Sequence, residues 1–234
     1  GSATASLFSN PVKGIKTIPG VELQSNGGLT VDGLAQIGTD TTATAIGGSG
    51  EKSIAESKVT NVVGVDMSEL DSATSTGQIK ADAKGDIDFK GVASTNLNSN
   101  SIITKGSALA KSISSFVSGI NIRAIVGAAD ATILGNASNT SNASATSTGD
   151  HGASNTATAS ITTLDSTIGI SGFEESSSIT PTIMIGGNSS VTGNGSNRRT
   201  ANSVITTGDA KSTIGATNTI GIDNVELTLK GNNS

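Results

Sequence analysis

The chain has 234 residues and a formal net charge of −5; 14% of it is charged, 2% is aromatic with no Trp or Tyr, and there is no Cys. That length can bury a sizeable core, but so few rings exclude an aromatic-centred one, and the missing Cys excludes disulfides and thiolate metal sites. The acidic balance argues against nucleic acid as a partner, and no apolar run approaches the roughly 20 residues of a membrane-spanning helix.

The low charge also departs from the signature of a disordered chain. Gly (30 residues), Ser, Thr, Asn and Ala set the character instead. Such a composition folds by stacking many thin layers or not at all. Gly1-Ser2 looks like a cloning remnant, which implies a start inside a longer protein.

The first element in chain order is an apolar-Gly-apolar tetrad, VKGI at 12–15. It returns as VVGV at 62–65, VSGI at 117–120, and TIGI at 167–170 and 219–222. The copies end at residues 15, 65, 120, 170 and 222, a step of 50 to 55 residues. A fixed period of this size marks a repeat architecture. After each tetrad comes an alternating apolar pair that ends at Gly: LTVDG (29–33), IDFKG (87–91), ATILG (131–135), IMIGG (183–187) and LTLKG (227–231). Period-2 alternation closing on Gly reads as a strand and a turn. The gap between the two signatures varies, as loops do.

Ahead of the tetrads run alternating small residues: KSIAESKV (52–59), ASNTATASI (153–161) and SVITTGDAKST (203–213). Ala, Ser and Thr at every second position place one small side chain per pleat on one face. The segment SALAKSISSFV (107–117) reads two ways, because Leu109, Ile113 and Phe116 also have helical spacing. Residues 136–160, NASNTSNASATSTGDHGASNTATAS, hold no Val, Leu, Ile, Met or Phe. They occupy the place that strand-like segments hold in other repeats, so a tightly packed strand with a loop is expected there rather than a linker.

The expected fold is all-β: a parallel β-solenoid, one domain over 1–234 built from repeats of about 50 residues whose layers cover one another. The alternative is a pair of antiparallel β-sandwich domains, whose cores commonly need the aromatics this chain lacks. One turn per repeat implies a stack near 20 Å tall and two turns near 40 Å, at about 4.8 Å per rung. The last signature, at 227–231, opens a repeat that is not finished. A chain cut from, or docked onto, something longer is therefore expected.

The alternating Ala/Ser/Thr runs, the TGD triplets (148–150 and 207–209) and the TIGI tetrads resemble repetitive β-solenoid surface and fibre proteins of marine cyanobacteria and their phages. The resemblance covers the chain from about residue 50 onward and lies in composition and period. It implies an extracellular or virion structural part, and no catalytic residue carries over.

Sites of chemistry are sparse. GGNSSVTGNGSN (186–197) is similar to the glycine-rich turn of calcium-binding β-rolls but lacks the Asp that the motif needs. Asp82, Asp86 and Asp88 are the candidates for a hard cation such as calcium, although no ligand-turn signature accompanies them and a solvated face is the expectation. No cofactor is expected. Asp86, Asp88, Glu174 and Glu175, with Arg123 as basic partner, are the groups a polysaccharide-active enzyme would use. Aromatic sugar platforms are missing. His151, the sole His, sits in the most polar stretch, which argues against a Ser-His-Asp triad. No enzyme is therefore expected. Arg198-Arg199 reads as a solvated loop turn. Thr156 and Thr158, or Thr41, Thr42 and Thr44, would start an ice-binding array only if they recurred in register, and they do not. The sequons at Asn136, Asn139, Asn142, Asn188, Asn194 and Asn232 follow from a composition rich in Asn, Ser and Thr.

The role expected from all this is structural: an extracellular, cell-surface or virion rod, fibre or filament segment that self-associates through its end rungs. The second reading is a receptor- or glycan-binding module carried on the solenoid.

Overall fold

A computed structural model of the chain describes residues 1–9, 11–16, 23–47, 50–67, 81–149, 155–163, 166–172, 181–215 and 217–232. These residues form a parallel β-solenoid. The first coil comprises β1 (Ala3–Phe8), β2 (Val12–Lys16), β3 (Leu23–Ser25) and β4 (Leu29–Ala45). The second is β5 (Lys52–Val59), β6 (Val62–Asp66), β7 (Ala81–Ala83) and β8 (Ile87–Ile103), and the third is β9 (Ser107–Ser114), β10 (Val117–Ile122), β11 (Ala124–Gly127) and β12 (Ala131–Ser147). The fourth is β13 (Thr156–Thr163), β14 (Thr167–Gly172), β15 (Thr182–Ile185) and β16 (Ser189–Ile205). A fifth level holds β17 (Asp209–Ile214), β18 (Thr219–Asp223) and β19 (Glu226–Leu229).

Every repeat is thus one turn, not two. The stack has five levels and stands about 19 Å tall, while a 17-residue strand on the long side spans about 55 Å. Corresponding strands pair in parallel into four sheets: an alanine side (β1, β5, β9, β13, β17), a signature side (β2, β6, β10, β14, β18), a short side (β3, β7, β11, β15, β19) and the long side (β4, β8, β12, β16).

The five tetrads stack in one column: Val12 and Val117 both pair with Val62, Thr167 pairs with Val117 and Thr219 with Thr167. The second signature does not form a single column. LTVDG, IDFKG and ATILG align on the long side, but the fourth member there is SSVTG (189–193), with Val191 beside Ile133 and Gly193 beside Gly135. The strands of IMIGG and LTLKG belong to the short side, where β15 pairs with β11 and β19. Both sides carry apolar alternation that reaches a glycine, so the pattern alone merges them; but the turn expected at that glycine occurs only on the short side, as at Gly186 and Gly187, whereas Gly33, Gly91, Gly135 and Gly193 lie inside the long strands.

The two families of glycine meet inside the coil. A methyl group added at Gly33, Gly91, Gly135 or Gly193 would overlap the carbonyl oxygen of Gly64, Gly119, Gly169 or Gly221, respectively. Long side and signature side therefore touch backbone to backbone at every level, a separation only glycine permits. This pinch divides the flattened interior. On one side lies a cluster of large residues, including Phe89, Ile87, Ile120, Ile133, Ile170 and Ile183. Beyond it, Val59, Val62, Leu97 and Val117 fill the middle. The far end is almost all alanine: Ala108, Ala110, Ala143, Ala145, Ala157 and Ala159.

At that alanine end the long and alanine sides lie so close that hydroxyls cross between them. Ser53 Oγ donates to the Ala43 carbonyl (2.9 Å), Ser101 Oγ to that of Ser53 (2.6 Å) and Ser112 Oγ to that of Asn142 (2.6 Å). A buried hydroxyl is tolerated because it is satisfied. This answers the polar stretch: Asn136–Ser147 lies within β12, alternately buried and half-buried, and Thr156 onward lies within β13. Residues 107–114 are strand β9, not helix. Ala108, Ala110, Ser112 and Ser114 face in, and Leu109 and Ile113 face the other way. The corner from the long to the alanine side needs left-handed backbone: Gly106 has φ 107° and Gly208 φ 130°. On the level between them Asn155 replaces the glycine, accepting from Gly106 N (2.9 Å) and donating to the Thr207 carbonyl (3.1 Å).

Candidate interaction surfaces

The long side is a four-strand sheet whose inward residues build the core and whose alternate residues face out. The outward ranks are mostly Ser, Thr and Asn. Neighbouring levels are tied by amide ladders, Asn142 Nδ2 to Asn98 Oδ1 and Asn194 Nδ2 to Asn136 Oδ1, both 2.9 Å. No threonine column runs through the four levels. Thr42 is followed by Asn100, Ser144 and Asn202, and Thr44 by Ile102, Thr146 and Val204. Thr41 faces inward and is hydrogen-bonded to Ser57 (2.6 Å). On the alanine side Thr156 and Thr158 stand beside Ser107 and Leu109. Among the sequons, Asn139 is buried within the coil, whereas Asn194 is exposed.

Where the short side turns into the long side, a groove of about 600 Å³ runs across the levels, lined by Asp86, Asp88, Asp130, Asn188 and neighbouring hydroxyls. Asp130 Oδ1 accepts the Asn188 N–H (2.8 Å), and Asn188 Oδ1 that of Asn232 (3.0 Å). Asp82 lines a different hollow with Gln24 and Lys84. The three carboxylates proposed for a cation are therefore split between two sites, and no cluster of three His, Cys, Asp or Glu side chains suited to a metal occurs among the described residues. Arg123 is buried at the corner between β10 and β11 and is not among the groove residues. Glu174, Glu175 and His151 lie outside the described residues.

A second polar column follows the signature side. Lys13 forms an ion pair with buried Asp66. Asn121 Nδ2 donates to Asp66 Oδ1 (3.1 Å), Ser171 Oγ to Asn121 Oδ1 (3.1 Å), and Ser118 and Ser171 share a hydrogen bond of 2.9 Å. Lys13, Asp66, Asn121 and Ser171, with Phe116 and Asp223, border a cavity of about 380 Å³. Sequence reading missed this column although its signal was present: a polar residue (Lys16, Asp66, Asn121, Ser171, Asp223) follows every tetrad.

The two ends expose the interior. Inward-facing Leu7 on the first level is 44% accessible and Ile214 on the last is 51%, while Ile161 in the same column is fully buried. Leu227 is 40% accessible, whereas its neighbour Ile183 is fully buried. Arg198 and Arg199 lie within β16 rather than in a loop, with Arg198 outward and Arg199 inward. Arg199 Nε donates to Asn197 Oδ1 (3.1 Å), and its Nη1 donates to the Gly215 carbonyl. Burial pulls the Arg199 pKa below its ordinary value, though a guanidinium stays charged at any physiological pH. Comparison with protein-family models, curated proteins and solved structures yields no match.

Proposed function

We propose that the chain is a structural segment of a fibre or filament, in an extracellular, cell-surface or virion setting. The observation that carries this reading is the stack itself: parallel strands pair in register from level to level around one column, so each layer is built to be covered by the next. Leu7, Ile214 and Leu227 are inward positions on the outermost described levels that a further layer, of this chain or of another, would cover. An uncovered sheet edge beside apolar surface is a template for further pairing. The coil itself is wider than it is tall, so a rod requires several such stacks joined along the axis. A broad, closely packed, small-residue interior suits a part whose task is stiffness. Electron microscopy and sedimentation of the purified chain test this. Particles about 55 Å wide that lengthen along the stack axis with concentration are expected. Single stacks at every concentration would overturn the proposal.

The groove at Asp86, Asp88, Asp130 and Asn188 favours a second reading, a glycan- or receptor-binding module, because carboxylates, amides and hydroxyls in one channel suit sugar hydroxyls. Glycan-array binding that is lost on Asp88→Ala would support it. No glycan bound above background would remove it.

A further inference from the structure

The sequence holds two Asn-Gly pairs, Asn26-Gly27 and Asn194-Gly195. An asparagine followed by glycine can lose its amide without a catalyst. The backbone nitrogen of the glycine attacks the side-chain carbon Cγ, ammonia leaves, and a five-membered succinimide closes. Water then opens the ring to aspartate or to isoaspartate. Glycine suits the attacking position because no Cβ obstructs the approach. The nitrogen must still swing toward the side chain, so local backbone freedom decides whether the reaction runs.

The coil separates the two pairs by that criterion and not by exposure, since Asn26 and Asn194 are both exposed. Asn194 and Gly195 lie inside β16, where Gly195 is in register with Ala137 and Asn194 Nδ2 donates to Asn136 Oδ1 (2.9 Å). An extended strand directs the next nitrogen away from the side-chain carbonyl, and ring closure there would break the ladder with β12. Asn26 and Gly27 lie at the corner between β3 and β4, in neither strand. The Gly27 N–H donates to a side chain, Ser25 Oγ (3.2 Å), at the long end of the hydrogen-bond range. The Gly27 carbonyl accepts the Gly85 N–H of the next coil (2.9 Å), so the corner stays anchored while the nitrogen turns.

We infer that Asn26 is a site of spontaneous deamidation in the folded chain, with water as the co-reactant, and that Asn194 is protected. Accessibility at this corner is a property of the position. On the covered levels the residue that follows the short strand is Lys84, Ala128 or Gly186, and all three are exposed. A further coil beneath the first would therefore leave Asn26 in water. The new carboxylate would share a hollow with Lys84. That cation accommodates the added charge, so the coil keeps its fold and carries a one-way change of charge at one corner. The isoaspartyl product lengthens the main chain by a methylene in a connection, where extra length is tolerated. The site follows from the corner geometry and holds for a fibre segment or a binding module alike.

Peptide mapping by mass spectrometry tests this on the full chain aged at mildly alkaline pH, folded and in guanidinium chloride. Conversion is expected at Asn26 in the folded chain, faster as pH rises, because the attacking nitrogen must give up its proton. Asn194 should convert at least about tenfold more slowly than Asn26 while folded, and at a comparable rate once the denaturant removes the ladder. Gly27→Ala should slow conversion of Asn26 about tenfold by hindering the nitrogen. A methyl there has its nearest atom, Ser25 Oγ, 4.0 Å away, so this variant keeps the fold. An Asn26 that stays intact in the folded chain while the denatured chain reacts would overturn the inference, as would equal folded rates at the two sites. Indifference to Gly27→Ala would overturn it too, because the reaction would then not pass through the succinimide.

Discussion

Glycines that look alike in sequence have opposite duties in this coil. At Gly135 an added methyl would meet the Gly169 carbonyl and the Ile170 side chain, and neither has space to withdraw. Gly135→Ala is expected to destabilise the fold by about 3 kcal/mol, the upper range for overpacking. Gly38 faces outward on β4, where the nearest atom to an added methyl is 3.9 Å away. Gly38→Ala should be neutral or stabilise by about 0.5–1 kcal/mol, the strand penalty of glycine being removed. Urea denaturation of the two variants against the parent chain checks the pair. Equal effects would mean that the sides do not touch at the pinch.

At the scale of the element, β9 separates two ways of reading one segment. Helical spacing would bury Leu109 and Ile113, but the strand buries Ala110 and Ser112 and leaves Leu109 half-buried on the other face. Ala110→Leu should cost about 1–3 kcal/mol by crowding the alanine end, while Leu109→Ser should cost less than about 1 kcal/mol. Thermal melts of both variants decide it. The element also shows how far sequence carries. The tetrad column was legible because its glycine returns at a nearly constant step. The strand character of 136–147 was legible from alternation and position in the repeat. Which glycine faces which was not, because the pinch joins residues on different coils through space. Nor was the split between IMIGG and SSVTG, since short and long sides share a pattern and differ only in partner. Nor was the separation of Asp82 from Asp86 and Asp88: closeness in sequence spans a corner, and the corner sends them into different hollows.

For the whole molecule, protection should follow position in the stack. Strands β8 and β12 pair on both edges, whereas β1–β3 and β17–β19 pair on one. Hydrogen exchange is expected to be slowest in β8 and β12 and progressively faster toward both ends, as in other arrays where each layer depends on its neighbours. A uniform profile would mean one all-or-none unit.

The single wide turn has a mechanical corollary. Hauled from its termini, the stack cannot shear as a block and must unwind from an extremity. Each winding holds 50 to 55 residues, so every rupture should free roughly 180 Å of slack contour. Force spectroscopy should then record evenly spaced teeth, one for each winding lost, giving a tether that lengthens in long, regular strides before the innermost windings yield.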